Sequence, residues 1–91
     1  MKKAYLVTYD SEYKNDDYLL KEELKKYKKW WHYLDYTWII ISEENAEEIW
    51  SRIKNKINQH NGLLIIEVGT QAEGWLDRTA WDWIDENIKG E

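Results

Sequence analysis

The sequence predicts one α+β domain over residues 1–91, with elements in the order β-α-β-β-α-β and a further helix at the C-terminus. Three observations predict it. Alternating β-formers open the chain, apolar residues recur at helical spacing in three later segments, and an aromatic, β-branched run lies between the first two of those. No proline and only four glycines interrupt these patterns.

Lys3 to Asp10 (KAYLVTYD) reads as the first strand, with Ala4, Leu6 and Thr8 on one face and Tyr5, Val7 and Tyr9 on the other. Residues 11–16 are polar and turn-like. Asp16 or Asp17 is then placed to cap a helix whose stripe is Leu20, Leu24 and Tyr27, extending to Trp31. Trp30 to Ile41 (WWHYLDYTWIII) reads as a hairpin turning near Asp35-Tyr36, without a glycine to mark the turn.

Asn45 and Glu48 form a capping-box pair for a second helix. Its stripe is Ala46, Ile49, Trp50, Ile53 and Ile57, and Gly62 is the expected terminator. Leu63 to Val68 reads as a short buried strand. A loop with Gly69 and Gly74 follows, and Thr79 is the expected cap of a last helix placing Ala80, Trp81, Ile84 and Ile88 together, with Gly90 beyond it. The order is that of the ferredoxin-like split βαβ arrangement, an antiparallel sheet with two helices on one face. The opposite face is equally apolar, so the last helix or a second subunit must cover it.

Composition narrows the chemistry. With no cysteine, disulfides, thiol nucleophiles and cysteine-ligated zinc are excluded. The longest apolar runs are far below the roughly 20 residues of a membrane span, and Met1-Lys2-Lys3 leads into a strand rather than a signal peptide's apolar stretch. A soluble, cytoplasmic protein is expected. Net charge is −5, which argues against a duplex-binding domain with a broad basic face. The basic excess is local, around Lys25, Lys26, Lys28 and Lys29.

YLVTYD, ending in Asp10, resembles the opening of the small subunit of the CRISPR adaptation complex, the second Cas protein. WWHYLDYTW, together with Gly74-Trp75, resembles a group of small bacterial and phage proteins labelled SinR-like, distant relatives of that subunit. The resemblance in element order covers about residues 3–68. It implies a ferredoxin-like homodimer in which the acidic residue ending the first strand lies at the interface, where two copies can hold a divalent metal such as Mg²⁺. Asp10 is the position that carries over, as metal ligand and catalytic residue. The acidic balance and the lack of arginine clusters depart from that family.

A carboxylate at a strand's end can bind Mg²⁺ beside waters and phosphates. It can equally form a turn by bonding its own backbone. His32 is a candidate general base or phosphate donor, or a hydrogen-bonded structural histidine, on the sheet face opposite Trp31 and Tyr33. His60 reads as a solvated helix end. No serine sits in a nucleophile elbow, and the loop of Gly69 and Gly74 is too sparse to cradle a phosphate.

The aromatics carry most of the remaining signal: seven Trp, seven Tyr and no Phe. Each ring has a polar handle, which suits half-buried rims, nucleobase stacking and interfaces. Trp50 and Trp81, on helical stripes, are expected in the core. Tyr9, Trp31, His32, Tyr33, Trp75 and Trp83 are the candidate ligand-binding residues. The leading expectation is a non-catalytic dimeric module that binds a nucleotide-like ligand or a nucleic-acid end, in a phage or bacterial defence setting. The alternatives are a protein-interaction subunit and a Mg²⁺-dependent nuclease using Asp10.

Overall fold

A computed structural model describes residues 2–10, 17–57 and 61–89. The turn-like segment 11–16, with Asp16 as a candidate cap, and His60 and Gly90 lie outside the described residues. Four strands form one antiparallel sheet in the order β2-β3-β1-β4, with β1 (Lys3–Tyr9), β2 (Trp30–Leu34), β3 (Thr37–Ser42) and β4 (Leu63–Glu67). The central strands β1 and β3 pair from Lys3↔Ser42 to Thr8↔Thr37. The hairpin turns at Asp35-Tyr36, where Tyr36 takes a φ of 59°. A non-glycine residue accepts that left-handed backbone at a cost that the flanking pairing offsets.

Alternation along β1 gives the sheet two apolar faces. Tyr5, Val7 and Tyr9 join Trp38 and Ile40 under α1 (Tyr18–Leu24) and α2 (Ala46–Ile53), against Leu20, Leu24, Ile49, Ile53 and Ile57. Ala4, Trp31 and Ile39 on the other face are covered by Ala80, Ile84 and Ile88 of α3 (Arg78–Ile84) and the π-helical turn after it. The last helix of this chain thus covers the second face over β1, β2 and β3 but not over Leu64 and Ile66 of β4. Among the described residues no helix is long and apolar enough to cross a membrane.

Local signals set several boundaries. Asn45 accepts from the Glu48 amide at 2.8 Å, and the Asn45 amide donates to the Glu48 carboxylate at 2.9 Å, completing the capping box. Asp17 occupies the N-cap position of α1, but its side chain makes no capping bond. Its buried carboxylate accepts from the Tyr9 hydroxyl at 2.8 Å and lies 3.6 Å from the Lys21 ammonium.

Five expectations are corrected. Gly62 does not end α2, because the helix closes at Ile53 and tightens into a 3-10 turn over Lys54–Lys56, which still delivers Ile57 to the core. The helical stripe does not reach Trp31, which belongs to β2. The N-cap position of α3 falls on Asp77, two residues before Thr79, and its side chain makes no capping bond. Trp50 is 42% exposed on the flank of α2 rather than in the core. The apolar run at β4 is an edge strand, and one side of it leaves Leu64 and Ile66 half exposed.

Candidate functional site

The register Lys3↔Ser42 brings the start of β1 and the end of β3 to one end of the sheet. The Ile41 amide donates to the Lys29 carbonyl at 3.1 Å, which lays residues 28–29 alongside. Arg52 of α2 and Lys26 and Tyr27, just past α1, close the other side. The result is a cleft of about 380 Å³. It is lined by five cations (Lys2, Lys26, Lys28, Lys29, Arg52) and three carboxylates (Glu23, Glu43, Glu44), a local charge of +2 in a chain of −5.

The carboxylates are already engaged. Glu23 is buried and takes the Lys26 ammonium at 3.1 Å, while Glu44 takes both Arg52 and the Tyr27 hydroxyl, the latter at 3.0 Å. The Arg52 guanidinium holds the Glu44 carboxyl below its usual range. Burial, and then the bond to Glu44, raises the Tyr27 phenol well above its ordinary value. Tyr27 therefore stays a neutral donor at neutral pH. Lys2, Lys28 and Lys29 carry no ion pair among the described residues. These three ammonium groups can meet an anion without first breaking an internal pair.

Lys2, Lys29 and Ile41 also line a smaller cavity, about 230 Å³, on the α3 side of the same sheet end. There Lys3 is already paired with Glu67 at 3.8 Å.

The residues named from the sequence do not converge on one site, though Trp31, Tyr33 and Trp83 lie near one another. Asp10 is exposed at the far end of β1, its amide donating to the Gly62 carbonyl at 2.9 Å. Seven strand residues separate it from the lysine cleft by about 20 Å. Among the described residues no group of three or more His, Cys, Asp or Glu is placed to hold a metal ion.

Tyr9 is buried, donating to Asp17 and accepting from the Trp38 indole at 3.3 Å. Trp31 is 2% exposed between the sheet and α3, its indole N–H donating to the Ala80 carbonyl at 3.2 Å. His32 stacks on Trp38 with centroids 4.1 Å apart, and its Nδ1 lies 3.1 Å from the Thr37 carbonyl. A carbonyl only accepts, so this contact makes Nδ1 the protonated nitrogen. Tyr33 is exposed beside Trp31, and Trp83 is half-buried against the second core. Trp75 stands alone, 99% exposed in the loop before α3.

Sequence reasoning did not select Lys2, Tyr27 or Arg52. The available signal was the local lysine excess after α1. Only the β1–β3 pairing shows that Lys2 completes that cluster from the other end of the chain. Comparison with family models, curated proteins and solved structures finds no match to this chain, so its functional reading rests on the geometry above.

Proposed function

We propose that the protein is a non-catalytic binding module whose lysine-lined cleft takes the phosphate of a nucleotide-like ligand or of a nucleic-acid end. One observation carries the reading: a net-acidic chain gathers Lys2, Lys28 and Lys29, none in an ion pair among the described residues, around a ligand-sized cleft walled by Tyr27. The half-buried Tyr27 hydroxyl and the Glu44–Arg52 pair preorganise one wall, which lowers the ordering cost on binding.

The strand order β2-β3-β1-β4, in which a third strand lies between each helix-linked pair, supports reading the fold as ferredoxin-like. That reading agrees with the resemblance to the SinR-like group carried by YLVTYD and WWHYLDYTW. The cysteine-free composition supports a cytoplasmic setting. The nuclease alternative needs Asp10 and a substrate phosphate together, and about 20 Å of β1 lies between Asp10 and the cationic cleft. A protein-interaction role is favoured by Trp75 alone, whose fully exposed indole has no structural task in this chain.

Isothermal titration against mono-, di- and triphosphate nucleotides tests the proposal. The wild type should bind, more weakly as salt rises. The pair Lys28→Glu and Lys29→Glu should weaken binding by about tenfold or more. Absence of binding by the wild type, or equal binding by the double variant, refutes it. Trp75→Ala should leave nucleotide affinity unchanged.

A further inference from the structure

Building on the reading of the lysine cleft as a phosphate site, we infer that the cleft and the smaller cavity on the α3 side form one groove. Its ligand is a linear dinucleotide unit whose phosphodiester sits between Lys2 and Lys29, with one nucleoside in each cavity.

The sheet register makes the junction. Trp30 pairs with Ile40 and the Ile41 amide donates to the Lys29 carbonyl, so Lys29 stands opposite Ile41 near the end of β3. On the other side of β3, the pair Lys3↔Ser42 puts Lys2 just beyond the same end. Because β2 and β1 flank β3, the two lysine backbones lie about 10 Å apart across it. Lysine carries its ammonium on a flexible four-carbon stem, so both can meet a single phosphate set over the end of β3. Lys2, Lys29 and Ile41 line both the cleft of about 380 Å³ and the cavity of about 230 Å³. The end of β3 is therefore a sill between them. A phosphodiester on that sill has a substituent for each side, whereas a phosphomonoester fills one side only.

The α3-side cavity has the chemistry of an uncharged group rather than of another phosphate. Lys3 is paired there with Glu67, so beyond the two shared lysines the remaining charge in its lining is Glu86, which repels an anion. Ala4, Ile41, Val68 and Ile88 give it an apolar floor, continuous with the second core. Asn87 lies at the wall and donates its side-chain amide to the Trp83 carbonyl at 3.0 Å. That carbonyl only accepts, so the Asn87 nitrogen is spent on it and Oδ1 remains as an acceptor. A base can lie on the aliphatic floor while a ribose hydroxyl or ring amino group donates to Asn87. Alone, this cavity falls below the roughly 300–1,000 Å³ of small-molecule sites; joined to the cleft, it falls within that range. The other nucleoside, with its 5′-phosphate, then lies in the cleft beside Tyr27 and Lys28.

Isothermal titration tests this with four ligands for each ribonucleotide base: the 5′-monophosphate, the 5′-diphosphate, the 5′-phosphorylated linear homodinucleotide and a six-nucleotide strand. The dinucleotide should bind about tenfold or more tighter than the monophosphate. The diphosphate controls for charge, since it has as many phosphates as the dinucleotide but one nucleoside. Gly69 lines the α3-side cavity, its φ is not positive, and a Cβ added to it would meet nothing within 4 Å. Gly69→Leu should therefore keep the wild-type urea midpoint, abolish the dinucleotide's advantage and leave monophosphate affinity unchanged. Thr70→Trp, at the next and exposed position of the same lining, should do likewise.

If the monophosphate binds and the dinucleotide binds no tighter, the joined groove is refuted while the phosphate reading of the cleft stands. If none of the four binds, both fall. A diphosphate that matches the dinucleotide, or a dinucleotide advantage that survives both cavity variants, also overturns the groove. A strand bound no tighter than the dinucleotide makes the ligand a free dinucleotide, and a strand bound tighter makes it a nucleic-acid segment. Either of these last results upholds the phosphodiester between Lys2 and Lys29.

Discussion

The two faces of the sheet carry similar amounts of apolar side chain but are closed differently. On one, α1, α2 and the 3-10 turn after it enclose Val7, Trp38 and Ile40 completely. On the other, the seven residues of α3 and a π-helical turn cover Ala4, Trp31 and Ile39 and stop short of β4. The first face also contains the polar chain Trp38–Tyr9–Asp17–Lys21, every member of which is bonded. On the second the polar contacts are separate, the Trp31 indole donating to the Ala80 carbonyl and Thr8 bonding Thr37. A chain of this length has enough helix to seal one face and only part of the other. What remains uncovered is the pair Leu64 and Ile66 on the edge strand, each about half exposed.

The sharpest test of the difference replaces the central indole on each side. Trp38→Ala empties the middle of the sealed core and removes the ring on which His32 stacks. It should cost about 4–5 kcal/mol, a large share of a small domain's stability. Trp31→Ala opens a cavity under one helix, beside a face already part open, where α3 can settle inward. Its cost should be nearer 3 kcal/mol. Urea unfolding of both variants measures the gap. Equal losses, or a larger one for Trp31, would mean that α3 closes its face as tightly as α1 and α2 close theirs.

The sealed face was also the more legible one. The β1 alternation, the Leu20–Leu24 spacing and the Asn45–Glu48 box are local patterns, and each formed where the residues predicted. The errors fell where tertiary context decides. A run such as Leu63 to Val68 reads the same in a central strand and at an edge, since only the strand order shows which side lacks a neighbour. Trp50 fits the helical stripe, yet β4 lies beyond it as the last strand, with no further strand to bury the indole. Asp77 and Thr79 are both capping residues, two positions apart. The lysine cleft was half visible, as a cluster after α1 whose other members, Lys2 and Arg52, come from distant sequence. The aromatic candidates misled because an indole N–H is as well satisfied by a carbonyl in a core as by a ligand, as Trp31 demonstrates.

The smallest of these effects separates the faces by pH. Tyr9 and Tyr27 both pack with the sealed core. Burial first, then bonds to Asp17 and Glu44 respectively, raises both phenols above the ordinary value of 10.0. In the unfolded chain each loses its proton near pH 10, whereas in the fold it keeps that proton to higher pH. Above pH 10 the unfolded state therefore binds fewer protons than the native one. Stability from this source is complete below that pH and falls as the pH climbs past it. Tyr9→Phe should cost about 1–2 kcal/mol at neutral pH, because the Asp17 carboxylate and the Trp38 indole both lose a partner. It should also make the alkaline decline shallower, with Tyr27 supplying what slope is left. Urea midpoints from neutral pH to about pH 11 resolve both effects. If the decline were equally steep in Tyr9→Phe, the buried hydroxyl would not be holding its proton through the fold, and the sealed face would owe its stability to apolar packing alone.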